Sequence, residues 1–266
     1  MPELPDVEYL RRYAESTSLH RPIDRTSLYS QRLLNKTSTQ LLARRLKGSS
    51  FSAASRHGKH LFLELDRPGA SAPGREALML HFGMTGTLDY HESDAPPEYT
   101  QLDIAFEGGT HLSYICKRML GSIAIVDDVA DYIEDQDLGP DALAVTVEQL
   151  REIVGERRGA IKSTLMNQGR LAGLGNIYTD EVLFQAGIDP RRKCSEIAED
   201  EIAAIHREIS RVCRTAADAH ADPDRMPESF LIRRRTPGAE CPRCSGSVAK
   251  VTISGRSAYL CEGCQR

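Results

Sequence analysis

The sequence has no long apolar run and uses cysteine, glycine and proline sparingly. No window approaches about 18 consecutive apolar residues, so no membrane-spanning helix is predicted. The 20 glycines and 13 prolines among 266 residues are too few for collagen or for bulk disorder. The opening residues, Met1-Pro2-Glu3, are not a basic stretch followed by an apolar one, so we expect no secretion signal and a cytoplasmic location.

The cysteines point to a metal site. Seven cysteines are too sparse for a disulfide scaffold, and four of them form two C-x-x-C pairs within the last 26 residues. Cys241-Pro-Arg-Cys244 is followed after sixteen residues by Cys261-Glu-Gly-Cys264. Four thiolates on a β-hairpin form the closed tetrahedral site of one structural zinc ion. Disulfide bonds and free thiols are less favoured, because we expect a reducing compartment.

The net charge of −4 hides an uneven distribution. Residues 225–266 hold eight Lys or Arg and three Asp or Glu, whereas residues 127–141 hold seven acidic residues and no basic one. A basic C-terminal segment lets one face of an acidic protein meet an anionic partner such as nucleic acid. The alternative is that the charges are only solvated on opposite surfaces.

The length predicts about two domains, and the first has the pattern of a β protein. A short amphipathic helix is predicted from about residue 6 to residue 16, with Val7, Leu10 and Ala14 facing inward. From about residue 22 to 126, short runs separated by turn-rich inserts at 66–74 and 91–98 predict an antiparallel sandwich or barrel. The predicted strands are residues 60–65, 77–82, 102–106, 111–116 and 122–126.

A linker at residues 138–140 precedes a segment with helical periodicity. Thr146 followed by Gln149 is typical of a helix start, with Leu150 and Val154 facing inward. The second domain is therefore expected to be helical, and a basic cluster at residues 233–235 leads from it into the cysteine module. The further predicted helices are residues 161–166, 176–185 and 199–217.

Two glycine-containing turns each allow two interpretations. Gly173-Leu-Gly175-Asn176 opens a helix and could present free backbone N–H groups to a phosphate, but a glycine turn between packed helices also fits. It is not a dinucleotide fingerprint, because no strand precedes it and the third glycine is absent. Gly58-Lys59 is either a functional lysine or an ordinary hairpin turn, and spacing alone does not decide.

Taken together, the sequence blocks resemble one family. Residues 1–8, Met-Pro-Glu-Leu-Pro-Asp-Val-Glu, are similar to the amino-terminal signature of the formamidopyrimidine-DNA glycosylase / endonuclease VIII family of base-excision repair enzymes. The resemblance covers essentially the whole chain, and the combination is specific although most single pieces are weak. The other matching blocks, in family order, are residues 58–61, 81–86, 138–141 and 171–178, Glu181 and the four-cysteine finger.

The resemblance implies a bifunctional DNA glycosylase/AP lyase. Removal of Met1 would expose Pro2 as a secondary amine that attacks the anomeric carbon of a damaged nucleotide. The iminium that results acidifies the neighbouring sugar proton, so β,δ-elimination can break the strand. Glu3 would be the general acid/base of sugar opening. Lys59 would bind phosphate and assist β-elimination, and Arg256 is the residue linked to δ-elimination.

The resemblance also implies that a helix-two-turn-helix element around residues 169–185 and the zinc hairpin grip DNA together. Asn176 and Arg256 would bind the phosphates that flank the lesion. Such contacts supply affinity and a steep salt dependence without reading the base sequence. Further backbone contacts are expected from Arg157, Arg158 and Lys162.

Base excision takes the target nucleotide out of the stack, and inserted side chains fill the gap. Met84 matches the void-filling methionine of the family. Arg118-Met-Leu-Gly121 matches the family motif Arg-Arg-Phe-Gly, so Arg118 would face the orphaned base and Leu120 would replace the aromatic wedge. The alternative for Leu120 is an ordinary core leucine.

Two departures from the family pattern leave the lesion open. Asp6 stands where the family often has glutamate, so its reach toward a base in the lesion pocket is one methylene shorter. Residues 218–240 form a short segment without the loop that covers a flipped oxidised purine in the formamidopyrimidine branch. The amino-terminal Glu-Leu-Pro points to the purine branch and the short segment to the pyrimidine branch.

The sequence therefore predicts an α+β multidomain enzyme. We expect an N-terminal helix plus antiparallel β-sandwich over residues 1–131, a helical helix-two-turn-helix domain over 138–225 and a zinc β-hairpin over 229–266. We predict a monomer that removes oxidised bases from duplex DNA, cleaves abasic sites through a Schiff base on Pro2, and has no membrane partner. A non-catalytic lesion-sensing member of the same fold and a zinc-ribbon interaction protein are the alternatives.

Overall fold

The computed structural model describes residues 1–67, 75–155 and 158–266. The chain divides into two compact units, of which the first combines Met1–Pro2 with Val7–Gln136 and the second combines Glu3–Asp6 with Asp137–Arg266. Arg157 and most of the loop predicted at residues 66–74 lie outside the described residues. The domain boundaries at residues 131, 138, 225 and 229 stay predictions. Within the described ranges, no helix has the length and apolar character needed to cross a membrane.

Helix α1 spans Leu4–Ser18 and buries the predicted face. Val7, Leu10 and Ala14 are all buried, because these positions fall on one side of a helix with about 3.6 residues per turn. The opposite face is polar. The periodicity therefore predicted this helix correctly, and the structure extends it by two residues at each end.

Two four-stranded antiparallel sheets form most of the first unit. The strands are β1 (Ile23–Leu28), β2 (Ser50–His57), β3 (His60–Asp66), β4 (Ala77–His81), β5 (Gly86–His91), β6 (Thr100–Phe106), β7 (His111–Cys116) and β8 (Ser122–Val126). Their orders are β1-β6-β7-β5 and β2-β3-β4-β8, so the sandwich is confirmed and the barrel alternative is wrong. Alternate residues such as Leu112, Tyr114 and Cys116 of β7 enter the core.

The strands that the sequence pattern missed all lie at sheet edges. The pattern predicted β3, β4, β6, β7 and β8 but not β1, β2 or β5, which are edge strands of the two sheets. Strand β2, for example, buries only Phe51 and Ala54 of its eight residues. An edge strand has a neighbour on one side only, and β1, β2 and β5 each bury no more than two residues, whereas the edge strand β8 buries three of its five residues and was predicted. Helix α2 (Thr39–Leu46) was also missed, although Ser38 caps it.

Part of the acidic segment forms helix α3 (Val129–Asp135). Asp128 Oδ1 accepts the backbone N–H groups of Ala130 at 2.7 Å and Asp131 at 3.3 Å. These hydrogen bonds, assisted by Arg75, lower the pKa of Asp128. Some of the acidity of this segment therefore serves a local helix start.

Helices dominate the second unit, as predicted. Helix α4 (Val147–Gly155) starts behind a capping box: Gln149 N–H donates to Thr146 Oγ1 at 3.2 Å and Thr146 N–H donates to Gln149 Oε1 at 2.9 Å. Leu150 and Val154 are buried. The remaining helices are α5 (Ile161–Leu165), α6 (Asn176–Ala186) and α7 (Glu199–Asp218).

The chain ends in a β-hairpin made of β9 (Ala249–Ile253) and β10 (Arg256–Leu260). Ser254 and Gly255, which connect the strands, have φ values of +47° and +77°. Positive φ at both positions suits the two-residue turn that matches the strand twist. Arg256 is thereby placed at the first position after the turn.

Candidate functional site

Glu3 is held at the N-terminus of α6 through its side-chain carboxylate. The carboxylate accepts the N–H groups of Gly175 at 2.9 Å, Ile177 at 2.9 Å and Tyr178 at 3.1 Å. These N–H groups have no partner within the helix, and the positive end of the helix dipole favours an anion. Glu3 is 1% exposed, so the residue after Pro2 is a buried carboxyl group in one fixed position.

Two glycines make this arrangement sterically possible. A Cβ on Gly175 would lie 2.4 Å from the Glu3 carboxyl carbon, and a Cβ on Gly173 would lie 2.5 Å from Leu4 Cδ1. Gly173 also has a φ of +121°, which residues with side chains rarely adopt. Because the Glu3 carboxylate already accepts the N–H groups of Gly175, Ile177 and Tyr178, the interpretation that these groups bind a phosphate is wrong, and the alternative of a glycine turn in packed surroundings fits.

Asp6 makes a side-chain hydrogen bond to the backbone of Glu3. Asp6 Oδ2 accepts the backbone N–H of Glu3 at 2.9 Å, as the third residue of a helix does in a capping box. Burial raises the pKa of Asp6 to about 6, and the hydrogen bond from Glu3 opposes this shift. Asp6 therefore has a contact that fixes the start of α1, and its role in a lesion pocket stays a prediction.

Asn176 and Arg256, the two predicted phosphate ligands, both belong to the second unit. Asn176 is the first residue of α6, and its Oδ1 is buried without a hydrogen-bond partner in the described part of the chain. Arg256 is exposed and lines a cleft of about 240 Å³ together with Asn167 and Ser163. The Asn176 amide thus has unused hydrogen-bonding capacity, and the Arg256 guanidinium is accessible.

Lys162 is buried, which corrects the prediction that it contacts the DNA backbone. Lys162 Nζ donates to Asp180 Oδ1 at 2.6 Å and to the Ser257 carbonyl at 2.8 Å, and the residue is 1% exposed. Burial lowers its pKa, and Asp180 opposes that shift. A phosphate contact needs an accessible ammonium group, whereas Lys162 joins α5 to α6 and to the hairpin. Arg158 is exposed, and its contact stays a prediction.

Two buried acids of α6 have structural roles that the sequence analysis missed. Asp180 Oδ2 also accepts from Arg235 at 2.6 Å and from the N–H of Tyr259 at 3.1 Å. Glu181 accepts the backbone N–H groups of residues 231 and 232 at 3.1 and 2.7 Å, and burial raises its pKa to about 7. The sequence signal that could have revealed these roles is the pair of adjacent acidic residues in the otherwise apolar α6. They anchor the hairpin and the preceding segment to the helix that holds Glu3.

The four cysteine sulfurs form one cluster. All four lie within 4.8 Å of one another, and the pairs Cys241–Cys264 and Cys244–Cys261 are each 3.6 Å apart. A tetrahedron with Zn–S bonds of about 2.3 Å has edges of about 3.8 Å, whereas a disulfide has an S–S distance of about 2.05 Å. The hydrogen bond from Gly246 N–H lowers the pKa of Cys244 to about 7, which favours the thiolate. The donors fit one structural zinc ion, and the disulfide alternative is wrong.

Lys59 lies in the two-residue turn between β2 and β3, next to two histidines. Gly58 has a φ of +57°, and the register pairs His57 with His60 across the turn. Lys59 is 9% exposed. Burial lowers the pKa of His60 to about 3 and that of His81 to about 4, so both imidazoles are neutral at physiological pH. The turn carries a nearly buried lysine, so the alternative of an ordinary hairpin lysine on the surface is wrong, and the role of Lys59 stays a prediction.

The three predicted void-filling residues are exposed in the first unit. Met84 is 39% exposed and Leu120 is 49% exposed, and Arg118 also faces solvent. Their loops touch, because Arg118 N–H donates to Thr85 Oγ1 at 3.1 Å and a Cβ on Gly83 would lie 2.4 Å from the Leu120 carbonyl. The alternative that Leu120 is a core residue is therefore wrong, and its role as a wedge stays a prediction.

Family models and relatives match the whole arrangement. The chain matches the formamidopyrimidine-DNA glycosylase N-terminal domain over residues 1–123, the formamidopyrimidine-DNA glycosylase H2TH domain over 138–225 and a zinc finger found in FPG and IleRS over 238–266. It is 32% identical to the formamidopyrimidine-DNA glycosylase of Geobacter metallireducens and 31% identical to that of Paracoccus denitrificans, each aligned over 100% of both chains.

A solved structure shows the same fold with DNA bound. The complex between the Lactococcus lactis Fpg and DNA containing an abasic site has a TM-score of 0.86, 28% identity and coverage of 99% of both chains. The fold and the matches define a base-excision repair DNA glycosylase. The chain belongs to the formamidopyrimidine-DNA glycosylase family, which confirms the predicted family, and it carries one structural zinc ion.

Proposed function

We propose that this protein excises oxidised bases from duplex DNA and then cleaves the abasic site as a lyase. The observation that carries the proposal is the buried Glu3 carboxylate, which three backbone N–H groups hold directly after Pro2. A general acid/base has to be placed to within a fraction of an ångström, and a helix N-terminus supplies that placement. Named glycosylase relatives of full length support the same activity.

In the proposed reaction, Pro2 is the nucleophile. Met1 is 49% exposed, and its removal turns the Pro2 nitrogen from an amide into a secondary amine. The Pro2 nitrogen bonds to C1′ while the glycosidic bond breaks, and the departing base takes a proton from solvent. The Glu3 carboxylate accepts the proton that the Pro2 nitrogen releases and passes it to the ring oxygen, which opens the sugar and gives an iminium.

Strand cleavage then follows from the acidity of the iminium. Loss of the C2′ proton expels the 3′-phosphate, and a second elimination expels the 5′-phosphate before hydrolysis frees Pro2. Lys59 assists the first elimination and Arg256 the second. Neither step uses the zinc ion, whose four protein ligands leave no open coordination position and whose binding stabilises the hairpin that carries Arg256.

DNA binding divides between backbone contacts and gap filling. Asn176, Arg256 and Arg158 contact phosphates, which gives affinity with a steep salt dependence. Met84 and Leu120 fill the space left by the extruded nucleotide, and Arg118 faces the orphaned base. Their exposure supports this assignment, since large apolar side chains at a surface mark interaction sites.

The cellular setting follows from the substrate and from the thiols. We propose that the protein works as a monomer in the cytoplasm, where the DNA of a bacterial cell lies. Reducing conditions there keep the four cysteines available for zinc.

Asp6 shapes the lesion pocket with a shorter reach than glutamate would have.

The test is strand nicking and borohydride trapping on a duplex that contains 8-oxoguanine, with the N-terminus checked by mass. Wild type should nick the strand and form a borohydride-trapped adduct. Glu3→Gln should lose base release, because an amide cannot accept and pass on a proton as a carboxylate does. Glu15→Gln, at an exposed position of the same helix, is the matched control and should behave as wild type. Tight binding without nicking or adduct by wild type would instead indicate the lesion-sensing alternative.

A further inference from the structure

Tyr99 is one of the large side chains, besides Met84 and Leu120, that are exposed in the first unit. Tyr99 is 42% exposed, and Lys117 Nζ lies 4.9 Å from the centre of its ring. This distance is within the range of a cation–π contact. The pair therefore presents an aromatic ring and a positive charge side by side.

The backbone at Tyr99 is strained. Tyr99 has a φ of +65°, a left-handed conformation that bulky residues avoid. Met119, next to Leu120, has a φ of +50°. A strained conformation costs free energy, and such residues cluster at functional sites. Tyr99, which is both strained and exposed, is therefore a candidate for a role outside the core.

Hydrogen bonds connect Tyr99 to the segment that carries Arg118 and Leu120. The Tyr99 carbonyl accepts the Cys116 N–H at 3.1 Å and Gln101 Nε2 at 3.0 Å. Met119 N–H donates to the Cys116 carbonyl at 3.2 Å, which closes the turn behind Arg118. Tyr99 is thus fixed at the base of the turn that presents the proposed gap-filling residues.

We propose that Tyr99 and Lys117 form a subsite for the undamaged strand, at the nucleotide next to the orphaned base. The Tyr99 ring stacks on that nucleotide and Lys117 neutralises its phosphate. This inference rests on the proposed function, because the strand assignment follows from Arg118 facing the orphaned base. The subsite reads no base identity, since every base offers a π face.

The test uses a duplex with tetrahydrofuran as an uncleavable abasic site and 2-aminopurine next to the orphaned base in the undamaged strand. Tyr99→Ala should raise Kd by about 5- to 150-fold, from the usual strength of base stacking. It should also reduce the fluorescence change that wild type causes, because stacking on the ring quenches 2-aminopurine, whereas the part caused by insertion of Arg118 and Leu120 should remain. Tyr99→Phe keeps the ring and should retain both properties.

Two further variants separate this role from folding and from general charge. Tyr99→Gly relieves the positive φ, so it should unfold at the same or a higher temperature while binding DNA as weakly as Tyr99→Ala. Lys117→Ala should weaken the salt dependence of binding, so that the negative slope of log Kobs against log salt becomes about 0.9 smaller in magnitude. Lys47→Ala removes an equal charge at the end of α2 and should leave the slope unchanged.

The outcomes distinguish this inference from the proposed function. Wild-type affinity in Tyr99→Ala and Tyr99→Gly would overturn the subsite, as would a fluorescence change that appears only with 2-aminopurine in the damaged strand. The proposed function fails separately if wild type forms no borohydride adduct with an abasic duplex.

Discussion

A single methyl group at residue 175 should displace the proposed catalytic acid. A Cβ there would lie 2.4 Å from the Glu3 carboxyl carbon and from Glu3 Oε1, about 1 Å closer than ordinary contact. Gly175 has a φ of −130°, so alanine brings no backbone strain of its own. The whole effect of Gly175→Ala therefore comes from pushing the carboxylate away from the α6 N-terminus.

The magnitude follows from the hydrogen bonds at stake. Glu3 accepts three backbone N–H groups, and a hydrogen bond to a charged group is worth about 1.5–3 kcal/mol. Because the carboxylate shifts rather than disappears, we expect a loss of about 3 kcal/mol and a midpoint lowered by about 6–12 °C. Nicking of the lesion duplex should fall at least about 100-fold, since a 1 Å misplacement is that costly.

Control variants make this prediction decisive. In Gly155→Ala the added Cβ meets no atom of the described residues within 4 Å, so this variant should be neutral or slightly stabilising. Glu3→Asp withdraws the carboxylate by one methylene, so its stability effect should be non-additive with Gly175→Ala. Thermal unfolding and nicking rates are the measurements. A Gly175→Ala protein with wild-type stability and activity would refute the placement of Glu3.

Three other predictions concern stability, packing and metal. Asp6→Asn should stabilise the protein by about 3 kcal/mol at pH 7. The raised pKa of Asp6 makes wild type lose stability as pH rises from about 4 to about 6. The free energy of unfolding of the variant, measured with denaturant at each pH, should not fall over this range. Lys162→Met should cost about 3 kcal/mol, because it leaves Asp180 partly unpaired; unchanged stability with a smaller salt slope of DNA binding would show a phosphate contact instead. Metal analysis should find one zinc per chain, and Cys244→Ser should lose both zinc and tight DNA binding; a zinc-free protein that binds normally would contradict this.

Most of the fold could be predicted from the sequence because most of its elements have apolar residues at the regular spacing of a helix or a strand. Helix α1 and the central strands have buried residues at regular spacing, and the four cysteines have the spacing of a zinc site. The edge strands β1, β2 and β5 escaped because half of each strand's environment is solvent or loop. The alternation of apolar and polar residues along a strand does not show which of its neighbours are loops or solvent.

The candidate site was harder to predict because its contacts join residues far apart in sequence. Glu3 lies 172 residues from Gly175, and spacing left open either a phosphate or a glycine turn between packed helices where the structure places the Glu3 carboxylate. Lys162 was expected to contact the DNA backbone, but its ammonium group is buried and bonded to Asp180, eighteen residues later in the sequence. The resemblance identified the relevant residues, whereas their partners required the three-dimensional structure.

The most direct test of the account is to locate the covalent adduct. Wild-type protein with Met1 removed is trapped with borohydride on a duplex that contains an abasic site, digested and analysed by mass spectrometry. The account predicts that the DNA remnant is attached to the nitrogen of Pro2 in the N-terminal peptide. An adduct on the side chain of Lys59 or another lysine, or tight binding without any adduct, would contradict it.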